Sequence, residues 1–255
     1  MPPRVSPINA VQKACRILVS LSSAEESRLT DIANSTSLNK ATALRILDTL
    51  SREGFVSRND TAKTWSLGAE AYVLAAAASR GDDLRDHTRP ALMRLAAVSH
   101  DTVLLSIRRG MQSVCVDREI GDYPIRANYL DVGSRRPLGV GAASLALLAW
   151  LPDNEIEAVL PLIKCTLTQF PKITMRSLQD DIVESRARGY TLILDLIVEK
   201  MGGLAMPIFG RDKRPIAAIS VAALSERLVA RQDVLVAALR KEVDMLSALK
   251  SKGRT

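Results

Sequence analysis

The stretch LTDIANSTSLNKATALRILDTL, residues 29–50, decides the fold of the first part of this chain. Apolar residues recur in both of its halves at the spacing of one helix face, and a short turn at Ser37-Leu38 separates the halves. The small residue Ala33 lies where a second helix would pack closely against the first. This pattern predicts a helix-turn-helix whose second helix spans Asn39 to Arg52.

The second helix is expected to bury one arc and to leave the opposite arc open. On the open arc, Arg45 can offer two parallel donors to a guanine edge, and Ala41 and Leu44 can contact thymine methyl groups. Beside that arc, Lys40 and Thr42 can reach phosphate oxygens. An ordinary helical hairpin with solvated charges fits the same residues, so the helix pair alone does not establish DNA binding.

The next residues strengthen the DNA-binding interpretation. FVSR, a polar NDTAK tip and TWSL predict two short strands around a turn. A helix pair followed at once by a hairpin has the order of a winged helix, with Arg58 and Lys63 placed to meet backbone phosphates. Ser37 stands where glycine is common, which predicts a turn made without easy access to positive φ.

Length and local composition predict two domains. For 255 residues, two domains are the better expectation. The winged helix is expected over 1–68, an alanine-rich linker helix over 69–81, and a second domain over 82–255. Before the helix pair, apolar residues recur at helical spacing and predict a first helix that buries one face: Ile8, Val11, Cys15 and Leu18, with Ala14 and Leu21 alongside.

The second domain mixes strand and helix patterns, which predicts an α+β fold. Strands are expected at Thr102–Arg108, Val114–Ile120, Ile125–Leu130, Tyr190–Val198, Leu204–Phe209 and Ile216–Val221. Helices are expected at Leu84–Val98, with Pro90 as a kink or a new start, at Ala142–Trp150, Asp153–Leu160 and Leu178–Arg188, and from Ser225 to about Lys250.

Composition narrows the possible partners and compartments. A net charge of +7 favours a polyanionic partner without proving one. The longest mostly apolar run, Val140 to Leu151, is too short to cross a bilayer, and no export signal is recognisable. Because no segment is long enough to cross a bilayer, we expect no membrane partner. Three cysteines without a paired framework indicate a reducing cytoplasm.

Several separate motifs, in the right order, resemble the IclR family of bacterial transcriptional regulators. They are AVQKACRILVSL, LTDIANSTSLNKATALRILDTLSREGFVSR, WSLG, the PL and ALLAWLP parts of RRPLGVGAASLALLAWLP, RARGY and GGLAMPIFGRDKRPIAAISV. The resemblance implies an N-terminal winged helix-turn-helix, a linker helix and a C-terminal α/β domain with a GAF-like fold. It also implies a double-stranded DNA operator, a small-molecule effector and a homo-oligomer, either a dimer or a dimer of dimers.

The resemblance places the effector in the C-terminal domain, against backbone N–H groups of the helix after the PL motif. A small-residue packing seam is the alternative interpretation of GVGAAS. Where many members have acidic residues after RGY, this chain keeps only Asp195, which alternatively faces solvent or pairs with an arginine. We therefore expect a more apolar effector, an aromatic or medium-sized organic acid. The expected lining is Ile125, Asn128, Ala142, Ala143, Ile193, Asp195, Met201, Gly203 and Ser220.

The sequence offers little support for catalysis. Cys115 alternates with apolar Val114 and Val116, which is typical of a buried inert thiol, and His87 and His100 are not recognisably paired with it. We expect no metal, no cofactor and no enzyme activity, since the spacings of metal and nucleotide sites are missing. Two alternatives stay open: a constitutive DNA-binding protein with a vestigial pocket, and a small-molecule enzyme.

Overall fold

The computed structural model describes residues 9–22, 26–79, 83–126 and 129–252. They form two compact units, Met1–Asp83 and Leu84–Thr255. The expected winged helix and linker helix fall within the first unit. All but the first two residues of the expected effector domain fall within the second.

The N-terminal unit is a winged helix followed by a further helix. Its elements are α1 Ala10–Leu21, β1 Ser27–Arg28, α2 Leu29–Thr36, α3 Lys40–Arg52, β2 Val56–Asn59, β3 Thr64–Leu67 and α4 Ala69–Ser79. The predicted helix pair and hairpin are confirmed. The short strand β1 pairs with β3 and gives a three-stranded sheet of order β1-β3-β2.

The buried face of α1 differs from the predicted one. Ile17 and Leu21 are buried, whereas Val11 is 70% exposed and Cys15 is exposed. Ile8 lies outside the described residues. The prediction is wrong at Val11 and Cys15, whereas Leu18 and Leu21 pack on the winged-helix core as expected. The buried stripe is turned towards Ile17, because packing against the other helices selects between adjacent apolar stripes.

The turn of the helix-turn-helix is made by a residue with positive φ. Ser37 has φ 56° and ψ 38°, in the left-handed region, and its N–H donates to the end of α2. The prediction that this turn avoids positive φ is therefore wrong. After the turn, the Asn39 side chain accepts a hydrogen bond from the N–H of Thr42 at 2.8 Å and caps α3.

The strain at Ser37 predicts a stabilising substitution. We expect Ser37→Gly to raise the free energy of unfolding of the N-terminal unit by about 0.5–1 kcal/mol, because glycine adopts positive φ without a Cβ clash. Urea unfolding followed by Trp65 fluorescence measures this change in a Trp150→Phe background. Ser22→Gly is the control, because Ser22 also caps a helix but has φ −72°. An equal gain in both variants would contradict the strain argument.

The C-terminal unit is built on one antiparallel sheet. The helix before the first strand of this sheet is α5 Asp83–Ser99. The strands are β4 Thr102–Arg109, β5 Gln112–Glu119, β6 Arg135–Pro137, β7 Thr191–Leu194, β8 Met201–Phe209 and β9 Pro215–Leu224. The other helices are α6 Ala142–Ala149, α7 Asp153–Leu167, α8 Met175–Arg188, α9 Ser225–Ala230 and α10 Gln232–Lys252. The strand order is β6-β5-β4-β9-β8-β7, which confirms the predicted α+β class.

Two strand predictions are wrong for physical reasons. The described residues of Ile125–Leu130 form no strand, and β6 follows later and pairs with the start of β5. The strand expected over Tyr190–Val198 stops at Leu194, because Asp195 leaves extended geometry with φ 55°.

Several helix predictions differ from the structure at a boundary or a break, and α8 begins at Met175 rather than at Leu178. The helix α5 runs through Pro90 without a second start. The helix expected to end at Leu160 runs through Pro161 to Leu167. The closing helix divides at Arg231.

Helices cover both faces of the sheet. One buried cluster joins α6, α7 and α8 to one face, and another joins α5, α9 and α10 to the other. Alternate residues of β8 show the division, because Leu204 and Met206 enter the second cluster while Ala205 enters the first. The face that meets α6 is the one that matters for the site.

Candidate functional site

A cavity that opens to solvent lies between the sheet and the start of α6. Its floor is formed by side chains from neighbouring strands that point to one face. The pairing of β4 with β9 places Leu104 opposite Ser220, and residues directly opposite each other in antiparallel strands point to the same face. The floor residues are Leu104, Ser106, Ser113, Cys115, Ile193, Met201, Gly203, Ser220 and Ala222.

The start of α6 closes one side of the cavity. Gly141 precedes the helix with φ 92° and supplies no side-chain cap to its first N–H groups. A Cβ on Gly203 would lie 3.0 Å from the Cβ of Ala142, so the missing side chain lets α6 approach β8. The Thr191 hydroxyl donates to the carbonyl of Ala142 at 2.9 Å and holds this end in place.

Two loops complete the wall. Tyr129, Leu130 and Ser134 contribute from the chain before β6, and Ile197 and Val198 from the chain after β7. The second loop is anchored at Asp195. The Asp195 carboxylate accepts a hydrogen bond from the Ser225 hydroxyl at 3.1 Å. The backbone carbonyl of Asp195 accepts one from Lys172 Nζ at 2.8 Å.

The structure brings most of the expected effector residues together. Those in the lining are Ala142, Ala143, Ile193, Met201, Gly203 and Ser220. Ile125 lies outside the lining and is 51% exposed, in a segment that forms no strand. Asp195 also lies outside it and is exposed, in agreement with the alternative that it faces solvent. It accepts a hydrogen bond from Ser225 and pairs with no arginine among the described residues. Asn128 lies outside the described residues.

Sequence reasoning missed Arg136 and Tyr129. Among the lining residues in the described part of the chain, only Arg136 carries a charge. Burial lowers the pKa of the Arg136 guanidinium and raises the pKa of the Tyr129 phenol. The guanidinium lies 5.7 Å from the centre of the Tyr129 ring. The available signal was the RRPL motif, of which only the PL part had been interpreted.

The exposed surface of α3 is the candidate DNA interface. Lys40, Ala41 and Arg45 are exposed at its start, and Thr42 is half-buried. Leu44, expected on the open arc, is half-buried and packs on the winged-helix core. It lies three residues from buried Leu47, which places the two side chains within about 60° of each other around the helix.

The wing residues differ in their surroundings. Arg58 pairs with Asp60 at 2.9 Å and lies over the ring of Trp65, yet nearly half of its side chain is exposed. Lys63 is exposed at the hairpin tip with φ 55°. An exposed ion pair such as Arg58–Asp60 contributes little stability, so a phosphate can replace the aspartate at small cost.

The described residues contain neither a membrane-spanning helix nor a metal-binding cluster. No helix found there is both long enough and apolar enough to cross a membrane. Within 9–22, 26–79, 83–126 and 129–252, no three His, Cys, Asp or Glu residues are grouped to hold a metal ion.

Two family models match the chain. The IclR helix-turn-helix domain matches residues 10–60, and the bacterial transcriptional regulator IclR C-terminal domain matches residues 76–248. The chain belongs to the IclR family. It is therefore a transcriptional regulator with a helix-turn-helix DNA-binding domain and a C-terminal effector domain.

Individual IclR proteins are similar over most of their length. The chain is 26% identical over 223 residues to the HTH-type transcriptional regulator XynR of Escherichia coli K12, covering 87% of this chain and 88% of XynR. It is 30% identical over 237 residues to the glycerol operon regulatory protein of Streptomyces coelicolor, covering 91% of this chain and 92% of that protein. Both relatives are regulators, which points away from an enzyme.

Solved IclR structures share the fold. An IclR regulator from Alicyclobacillus acidocaldarius superposes with a TM-score of 0.77 at 24% identity, covering 96% of this chain and 100% of that one. An IclR homologue from Microbacterium hydrocarbonoxydans, complexed with 4-hydroxybenzoate, has a TM-score of 0.76 at 20% identity and the same coverage. At these identities the likeness carries the fold alone.

Proposed function

We propose that this IclR regulator binds a roughly palindromic operator as a dimer or a dimer of dimers. A small organic acid or aromatic effector in the C-terminal cavity changes its DNA affinity or its promoter activity. The observation that carries the DNA part is the open start of α3, where Lys40 and Arg45 are exposed on a winged helix. A cytoplasmic location accords with this role.

Each expected DNA contact has a distinct role in this proposal. Arg45 reads a base edge, since a guanidinium can donate two parallel hydrogen bonds to guanine. Lys40 and Thr42 at the start of α3, together with Arg58 and Lys63 on the wing, hold phosphates and fix the register. Ala41 remains open to contact a thymine methyl group. Leu44 supports α3 from the core and has only its outer part free for such a contact.

A second copy of the chain is the proposed partner of α4. Three successive large apolar side chains of this helix are exposed, with Tyr72 at 77%, Val73 at 52% and Leu74 at 55%. Contiguous exposed apolar surface of this kind favours a protein partner. Pairing through α4 would make the two winged helices symmetric, as a palindromic operator requires.

The cavity is the proposed effector site. Its floor combines apolar side chains with the hydroxyls of Ser106, Ser113 and Ser220, a mixture that suits a small ligand with a few polar atoms. Control requires the effector to bind one arrangement of the dimer better than another, because an indifferent ligand shifts no equilibrium. We assign the coupling between cavity and DNA to the linker helix α4.

Selection of duplexes from a random-sequence pool by the full-length protein tests this function. We expect the recovered sequences to converge on an inverted repeat, with half-site centres separated by about 10 base pairs or a multiple of that. Titration of organic acids against the selected duplex then measures the effector response. Failure to converge would contradict operator binding, and an asymmetric consensus would contradict the two-fold dimer.

A further inference from the structure

Arg136 is placed to meet a ligand in the cavity. It lies in β6 directly opposite Ser113 of β5, and both side chains belong to the cavity lining. Cross-strand partners in an antiparallel pair point to the same face, so this strand edge delivers a positive charge to an otherwise uncharged lining. The neighbouring Arg135 alternates away from this face and is exposed.

The Arg136 guanidinium has no acceptor among the residues that the structure describes. Its recorded contact is the face of the Tyr129 ring. Other half-buried arginines of this unit behave differently, because Arg118 pairs with Asp131 at 3.3 Å and Arg227 pairs with Asp101 at 3.0 Å. Arg136 is thus a half-buried charge without a counter-charge among the described residues of its unit.

Such a charge favours an anionic ligand. Burial lowers the pKa of Arg136, which means that its surroundings disfavour the charged form, yet an arginine stays protonated at neutral pH. A buried charge is costly unless it is paired and hydrogen-bonded. A ligand carboxylate supplies both, since it accepts two parallel hydrogen bonds from one guanidinium.

We propose that Arg136 is the specificity-determining residue of the cavity and that it selects a monocarboxylic acid with an apolar body. This inference rests on the proposed effector function of the same cavity. One carboxylate pairs with Arg136, and the apolar body packs on Leu104, Met201, Ile193 and Ala222. A second carboxylate would meet only uncharged side chains in the lining, so dicarboxylates are disfavoured.

Acids and their neutral amides test the assignment directly. The probes are benzoate, phenylacetate and hexanoate, each paired with its amide and titrated into the full-length protein by calorimetry at neutral pH. We expect at least one acid to bind more tightly than its amide by roughly 10-fold or more, because charged hydrogen bonds exceed neutral ones by that factor. The assignment is overturned if no acid binds or if no acid exceeds its amide. Tighter binding of phenyl phosphate than of benzoate would also overturn it.

Variants on the same strand locate the charge. We expect Arg136→Gln to abolish the preference for acid over amide and Arg136→Lys to retain part of it. Arg135→Gln, which removes an equal charge from the other side of β6, should bind like the unchanged protein. Preference retained in Arg136→Gln would overturn the assignment, and the acid–amide comparison still decides if that variant does not fold.

The operator titration separates this inference from the proposed function. If amides match acids in affinity and both alter operator binding, the cavity is the effector site but Arg136 does not select a carboxylate. If acids bind through Arg136 and leave operator binding and promoter activity unchanged, the carboxylate assignment stands and the effector function fails.

Discussion

Arg45→Ala is expected to bind the selected operator roughly 10 to 100 times more weakly than the unchanged protein, the range that one bidentate base contact supplies. Its binding to random duplex should fall by much less, since only one positive charge is lost. Arg45 is exposed near the start of α3, so truncation should leave the winged-helix core intact. Fluorescence anisotropy with labelled operator and random duplex measures both affinities.

Lys63→Ala is the matched control for Arg45. Lys63 is also exposed and basic, but it lies at the hairpin tip, where a phosphate contact is expected. Its loss should weaken operator and random duplex alike and reduce the slope of log affinity against log salt by about one. Equal losses on operator and random duplex for Arg45→Ala would contradict base reading by α3.

Cys115 is expected to react with iodoacetamide at pH 8 at least about 30 times more slowly than an ordinary thiol, because the thiolate is the nucleophile and its higher intrinsic reactivity offsets only part of the loss of thiolate. Burial raises the pKa of Cys115 from the ordinary 9.0 to about 12, so little thiolate forms at this pH. Peptide mapping by mass spectrometry measures the rate at each cysteine. Slow reaction would accord with the expectation that this cavity thiol is buried and inert.

Cys15 and Cys165 are the internal controls, because both are exposed in the same protein. The same shift gives a pH dependence of stability. The unfolded thiol ionises at a lower pH than the folded one, so its ionisation favours the unfolded state. The free energy of unfolding therefore falls as pH rises from about 9 towards 12. Native Cys115 that reacts within about tenfold of the exposed cysteines would contradict its burial.

Local patterns predicted the N-terminal unit well. The apolar spacing of α2 and α3 repeats within a few residues, so sequence alone defined both helices and the exposure of Arg45. It could not determine the conformation of Ser37, because that turn is imposed by the packing of two helices. It also placed Val11 and Cys15 on the buried face of α1, where tertiary contacts bury Ile17 and Leu21 instead.

The cavity was harder to predict because strands from distant parts of the chain form it. The family resemblance located Ala142 and Ala143, and the apolar runs indicated β8 and β9. Arg136 was missed because β6 is a three-residue strand whose pairing with β5 leaves no local apolar pattern. Ile125, expected in the lining, lies outside it in a segment that forms no strand.

The central claim is that α3 places Arg45 against base edges in the major groove. Replacing each operator guanine in turn by 7-deazaguanine removes one acceptor that an arginine reads. The account predicts that one such replacement per half-site weakens binding of the unchanged protein and has no effect on Arg45→Ala. If every replacement weakens both proteins equally, Arg45 does not read a guanine N7 and the proposed DNA-reading face of α3 is wrong.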